Sequence, residues 1–254
     1  MKSRQRTRQR THIAKRLLLA LSVVLVLASP VWAQVAIDGE AIVQQTFNGA
    51  GPFTWTGKTT AGTNRCGIFA TAIGSDAISG VTWDGVAMTL VGTQISGVES
   101  RVATIWRIIN PPTGASNIVM TLSAGSSGYG GVTSYNNCHQ TTPVRASGGA
   151  TGTASPATVT VSSAANDLVV DAVQYEGSGT PPAVGAGQTS RWTGDQGGWF
   201  GAGSTEAGAA SVTMSWTLTT PTDWAIFAAS LQPAAAASGG DQGLLLGVLP
   251  GDEP

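Results

Sequence analysis

Residues 101–123 carry the clearest pattern of apolar and polar positions in the chain. Val102, Thr104, Trp106 and Ile108 fall on one face of an extended segment, and Arg101, Ala103, Ile105 and Arg107 on the other. Further on, Ile118, Met120 and Leu122 alternate with Asn117, Val119, Thr121 and Ser123. A period of two predicts β-strands. Asn110-Pro111-Pro112-Thr113-Gly114 between them predicts a turn, because proline lacks the amide donor and fixes φ.

The same pattern recurs along the chain. It predicts strands over 41–47, 53–56, 66–73, 129–135, 157–162, 167–173, 211–218 and 224–231. Asp84-Gly85, between Val81-Thr82-Trp83 and Val86 to Leu90, predicts a two-residue hairpin turn, since both central positions of that turn need positive φ. Two stretches lack the alternation. Residues 143–156, rich in Gly, Ala, Ser and Thr, are expected to form a surface connection, and residues 176–208 the longest irregular loop. No amphipathic helical stretch and no fixed-period repeat stand out. The expectation is an all-β, two-sheet antiparallel β-sandwich of jelly-roll-like type, with ten to twelve strands over residues 34–233.

Composition agrees: 34 glycines, 11% charged residues and 42% hydrophobic residues suit a large all-β core. Residues 1–33 are different material. Seven basic residues from Lys2 to Arg16 precede the apolar run Leu17 to Ala28, with Val31 and Ala33 before Gln34. This is the form of a secretory signal peptide, and about a dozen apolar residues fall short of the ~20 that span a bilayer. Its removal takes seven of the 13 basic residues and none of the 14 acidic ones, leaving six against fourteen and a net charge of −8. Such a surface excludes nucleic acid and anionic lipid as expected partners. The expected location is secreted or cell-surface.

Cys66 and Cys138, an even pair in an exported chain, are expected to form one disulfide, with two separate buried thiols as the alternative. Residues 234–254 read as a flexible linker and a short apolar tail, Gly243 to Leu249. Seven residues cannot span a membrane. The tail is expected to be either a frayed end or a strand donated to another subunit.

The segments VTWDGVAMTL (81–90), IWRIINPPTG (105–114), QTTPV (140–144), NDLVVDAV (166–173), GAGQT (185–189) and GSTEAGAASVTMS (203–215) together resemble a broad group of exported or phage-associated β-sandwich proteins. The resemblance implies a jelly-roll-like, lectin-like sandwich. It carries no catalytic residue set.

The chemistry in the mature region is sparse. His139 is its only histidine, and its neighbour Cys138 points to the opposite face of any shared strand, which argues against a Cys–His couple. Glu176, Asp195 and Glu206 flank one region and form the least remote carboxylate set for glycoside hydrolysis. Asp171, a charge inside an apolar strand, is expected to face solvent or to pair with an arginine rather than to act as an acid or base. No residue cluster suits zinc or an EF-hand calcium site, so neither a metal nor a cofactor is expected. The best physical case is a ligand site in 176–208 made of Arg191, Trp192, Asp195, Gln196, Trp199 and Phe200. Aromatic faces and planar polar groups are what sugar recognition uses. The expected function is a non-catalytic extracellular structural or adhesive module with glycans, or other copies of itself, as partners. A filament or particle subunit is the alternative, and a polysaccharide-active enzyme a third.

Overall fold

The computed structural model describes residues 33–38, 43–98, 100–221 and 223–235, and every regular element among them is a β-strand. The leader up to residue 32 and the tail from residue 236 lie outside the described residues. The strands of the first half are β1 (Ala36–Ile37), β2 (Val43–Gly49), β3 (Phe53–Thr60), β4 (Cys66–Ile73), β5 (Ile78–Trp83), β6 (Val86–Ala87), β7 (Thr89–Ile95), β8 (Val102–Ile109), β9 (Gly114–Leu122) and β10 (Ser126–Asn136). Those of the second half are β11 (Val144–Gly152), β12 (Ala157–Ser162), β13 (Leu168–Glu176), β14 (Ala183–Val184), β15 (Thr189–Asp195), β16 (Trp199–Ala207), β17 (Ser211–Thr217) and β18 (Asp223–Leu231).

Among the described residues, eighteen strands replace the expected ten to twelve, and four antiparallel sheets replace the expected two. The first half makes an inner sheet, β1-β10-β4-β8-β7 with β2 also on β10, and an outer sheet, β3-β9-β5-β6. The second half makes an inner sheet, β11-β18-β13-β16-β15, and an outer sheet, β12-β17-β14. Three separate apolar clusters fill the spaces between successive layers. One lies between the first outer and inner sheets, around Trp55, Phe69, Trp83 and Ile118. A second lies between the two inner sheets, and a third between the second inner and outer sheets, around Tyr175, Phe200 and Trp216.

This layering explains why β4 and β18 are buried at every position, and β13 at every position but its last, Glu176. In β4, Ile68, Ala70 and Ala72 face the other inner sheet, whereas Phe69 and Ile73 face the first outer sheet. A strand covered on both faces is apolar at most positions on both.

The two halves share one strand order, with β2, β10, β4, β8 and β7 answering to β11, β18, β13, β16 and β15. The registers agree too: Cys66 faces Tyr135 and Ile109 in one half, and Leu168 faces Leu231 and Ala207 in the other. Both inner sheets carry a bulge at the same place in the edge strand, between Leu90 and Gly92 and between Ser190 and Trp192. The inner sheets pack with β8 over β18, β16 over β10, and β4 against β13 in the middle, which is the contact pattern of a two-fold axis.

Across that interface a ring enters a glycine position twice. Phe227 of β18 lies where a Cβ on Gly92 would come within 2.3 Å, and Trp192 of β15 where a Cβ on Gly131 would come within 2.2 Å. The same ring also packs against Gly203, where a Cβ would lie 2.3 Å from its Nε1. Gly131→Val is therefore expected to destabilise the protein by about 2 kcal/mol through overpacking, read from urea unfolding. An unchanged unfolding midpoint would contradict this packing.

The Asp84-Gly85 turn forms as expected, with φ of 46° and 79°, and Asp84 Oδ1 accepts the Asn117 amide at 2.7 Å. The strand after it departs from expectation. Val86–Ala87 pairs with β5 and the Met88 amide donates to the Val81 carbonyl at 2.8 Å; the chain then passes into the first inner sheet as β7. Residues 143–156, expected as a connection, contain β11. The disulfide Cys66–Cys138 is present, spanning a sequence separation of 72 and joining the start of β4 to the residues after β10.

Candidate functional site

A groove of about 440 Å³ opens at the end of the first inner sheet remote from the disulfide. Asn48 and Gly49 at the end of β2, Gly74 and Ser75 after β4, and Gly125, Ser126 and Ser127 at the start of β10 line it. Trp199, the first residue of β16, forms the remaining wall.

Local geometry fixes these residues. The Gly74 amide donates to the Ser127 carbonyl at 2.9 Å, and Ser75 Oγ donates to Ser126 Oγ at 2.9 Å. The β15–β16 hairpin holds Trp199 in place: Asp195 Oδ1 accepts the Gly197 and Gly198 amides at 2.9 and 3.2 Å, and the Gln196 amide donates to the Trp199 carbonyl at 2.9 Å. Gln196 Nε2 donates to the Phe47 carbonyl at 3.4 Å and so ties the hairpin to β2.

Trp199 stands directly over Gly74, where a Cβ would lie 3.0 Å from its ring. The Arg101 guanidinium carbon sits 4.4 Å from the centroid of the same ring, a cation–π contact, and Arg101 is itself ion-paired with Glu176. In the shared register Arg101 occupies the position of Trp199, and Glu176 that of Gly74. The same end of the second half thus carries an ion pair where the first carries a glycine under an indole.

The six residues expected to form one site are dispersed by the fold. Trp192 is 4% exposed between the two inner sheets, and Phe200 is 1% exposed on the other face of the second inner sheet, stacked on Tyr175 at 4.6 Å. Their rings fill two different cores, so they do not form a shared ligand surface. Arg191 donates from Nε to Thr205 Oγ1 at 2.8 Å, and burial lowers its pKa. Asp195 caps the hairpin, Gln196 buttresses it, and Trp199 alone of the six lines the groove. Residues 176–208 are a strand hairpin with short connections, not an irregular loop. Asn48, Ser75, Ser126 and Ser127 were missed; their only sequence signal is a Gly/Ser/Asn-rich turn at each position.

The carboxylate set is dispersed as well. Glu176 and Asp195 lie near the start of β16, but Glu206 lies near its far end, opposite Val169. Burial raises the Glu206 pKa. None of the groove-lining residues is a carboxylate. His139 Nδ1 accepts the Thr142 amide at 3.1 Å in the loop after β10, and Cys138 beside it is in the disulfide. Among the described residues, no group of three or more His, Cys, Asp or Glu side chains is placed to hold a metal ion.

Asp171, expected at the surface or beside an arginine, is instead 2% exposed and faces the second outer sheet, where Ser204 and Trp216 are its partners. Its Oδ1 accepts the Ser204 amide at 2.6 Å and Ser204 Oγ at 2.8 Å, and its Oδ2 accepts Trp216 Nε1 at 2.7 Å. Burial pushes its pKa up to about 6 against these bonds. It ties two sheets together and lies well away from the groove.

The groove is thus a polar pocket of hydroxyls, amides and open backbone with one indole wall. Compared with known proteins, the chain matches no family model, no curated protein and no solved structure.

Proposed function

We propose that this chain is a secreted, non-catalytic module of lectin-like type, in which each half is a jelly-roll-like β-sandwich and the groove at Trp199 binds a neutral carbohydrate. The observation that carries the reading is the indole beside Asn48, Ser75, Ser126 and Ser127. An indole face suits the C–H side of a pyranose, and small hydroxyl and amide groups suit its hydroxyls. The absence of charge among the lining side chains favours a neutral sugar over an acidic one. The disulfide fits an oxidising compartment, and the leader fits export. No helix among the described residues is long and apolar enough to cross a membrane.

The groove lies at the Gly128–Ile73 end of the first inner sheet, and residues 33 and 235 lie near the Tyr135–Cys66 end. A module held by either terminal segment would present the groove outward. This favours adhesion as the role.

Glycan-array binding tests the reading. Trp199→Ala is expected to weaken specific binding at least about tenfold, with the fold retained. Trp192→Ala is not a control for this site, because it opens the core. No glycan bound at high protein concentration, or binding indifferent to Trp199→Ala, would end the carbohydrate reading.

A further inference from the structure

We propose that the edge strand β7, Thr89 to Ile95, docks the apolar tail Gly243 to Leu249 of a second copy of this chain, as an added antiparallel strand.

The edge is unusual for its chemistry. Val86, Leu90, Ile95 and Val98 are the exposed large hydrophobic side chains among the described residues, and all fall within one short stretch. Leu90 and Ile95 stand opposite Trp106 and Val102, so both project from the face of β7 turned away from the other inner sheet. β7 ends its sheet, with no strand paired to its outer side among the described residues. Exposed edges are ordinarily blunted by charge or proline. Val86 to Ile95 contains neither, whereas β15, its counterpart, carries Arg191 and Asp195. An apolar patch left on an open edge marks an interaction site.

The tail has matching chemistry. Leu244, Leu246 and Val248 alternate with Leu245, Gly247 and Leu249, without charge or proline, over seven residues, as many as β7 has. Geometry selects a second copy as the donor. The Ala234 amide donates to the Asn137 carbonyl at 2.7 Å, which places the departing chain at the disulfide end. β7 runs from that end, where Thr89 faces Arg107, to the groove end, where Ile95 faces Val102.

An antiparallel partner must enter at the Ile95 end. That entry point is about 30 Å along the strands from Asn137 and about 15 Å across them. The eight steps from Ala235 to Gly243 span at most about 28 Å. The chain's own tail therefore reaches β7 only in parallel, whereas every strand pair described is antiparallel. A neighbour's tail has no such limit. Tail-to-edge pairing is heterologous, so it builds an open row of subunits.

The test uses sedimentation velocity on the full chain and two variants. One is blocked at the edge (Leu90→Lys with Ile95→Lys), the other at the tail (Leu244→Asp with Leu246→Asp). The full chain is expected to form a concentration-dependent series of oligomers, and each variant to remain monomeric with an unchanged near-UV circular dichroism spectrum. Mixing the two variants is expected to restore dimers and nothing larger, because one supplies the only working edge and the other the only working tail. That complementation also shows that both variants are folded. A full chain that stays monomeric, oligomers that persist in both variants, or a mixture that forms no dimer would overturn the proposal.

Discussion

Replacing Cys66 and Cys138 together by alanine is expected to lower the unfolding free energy by about 4 kcal/mol. The cross-link closes a loop with a sequence separation of 72, and the chain-entropy relation for loops of that size gives this magnitude. The sulfurs sit where the loss is felt. Cys66 and Cys138 are 1% and 0% exposed, and Cys138 pairs through its backbone with Pro233, so one residue links the start of β4, the end of β10 and the chain leaving β18. Against a typical total stability of about 5–15 kcal/mol, the double variant keeps its fold with a much reduced margin. Guanidinium unfolding of the variant, beside wild type with and without reductant, measures the difference. A loss below about 1 kcal/mol would mean that the unfolded chain is already compact enough for the cross-link to remove little of its entropy.

Asp171→Ala is expected to cost about 3–5 kcal/mol at neutral pH. The carboxylate is the acceptor for the Ser204 amide and the Trp216 indole N–H, and both donors would be left buried without it. The wild type should carry a pH signature of the same group. Its pKa is about 6 in the fold against an ordinary 3.8, so the native state holds the proton more tightly than the unfolded chain. Stability from this group therefore rises as pH falls through 6 and levels off below the unfolded value. The gain between pH 7 and 5 is about 1 kcal/mol. Burial shifts Glu206 in the same direction, so a small residual slope is expected in the variant. Urea unfolding at pH 7 and pH 5 separates the two effects. A wild type less stable at pH 5, or a variant with the same slope, would refute the assignment to Asp171.

The strands with large alternating side chains were legible in the sequence. Cys66–Ile73, Ser211–Thr217 and the Asp84-Gly85 turn lie where apolar periodicity and turn chemistry put them. β11 and β16 were not legible, for a physical reason. In β11, Gly149 and Gly152 receive Gln94 and Trp224, and in β16, Gly201 and Gly203 receive Tyr129 and Trp192. A strand that accepts a neighbour's side chain needs an empty position, and an empty position has no hydropathy signal. The repeated strand order was hidden by the same exchange, since Gly92 under Phe227 in one half answers to Trp192 over Gly131 in the other. For the site, the aromatic content of 191–200 was visible, but not the alternation that sends Trp192 and Phe200 into different cores. Asn48, Ser75 and Ser126 are brought together only by pairing across distant strands.

The shared register of the two halves has a consequence for valence. Two identical halves would offer two grooves and two equivalent edges. Here one end opens under Trp199, while its counterpart is closed by Arg101 and Glu176; one edge is apolar, while its counterpart is charged. On the proposed reading, such a chain would be monovalent for sugar and would have one docking edge rather than two. A single groove holding one sugar binds weakly, and avidity arises only when many grooves face the same way. An open row joined tail to edge would supply that common orientation.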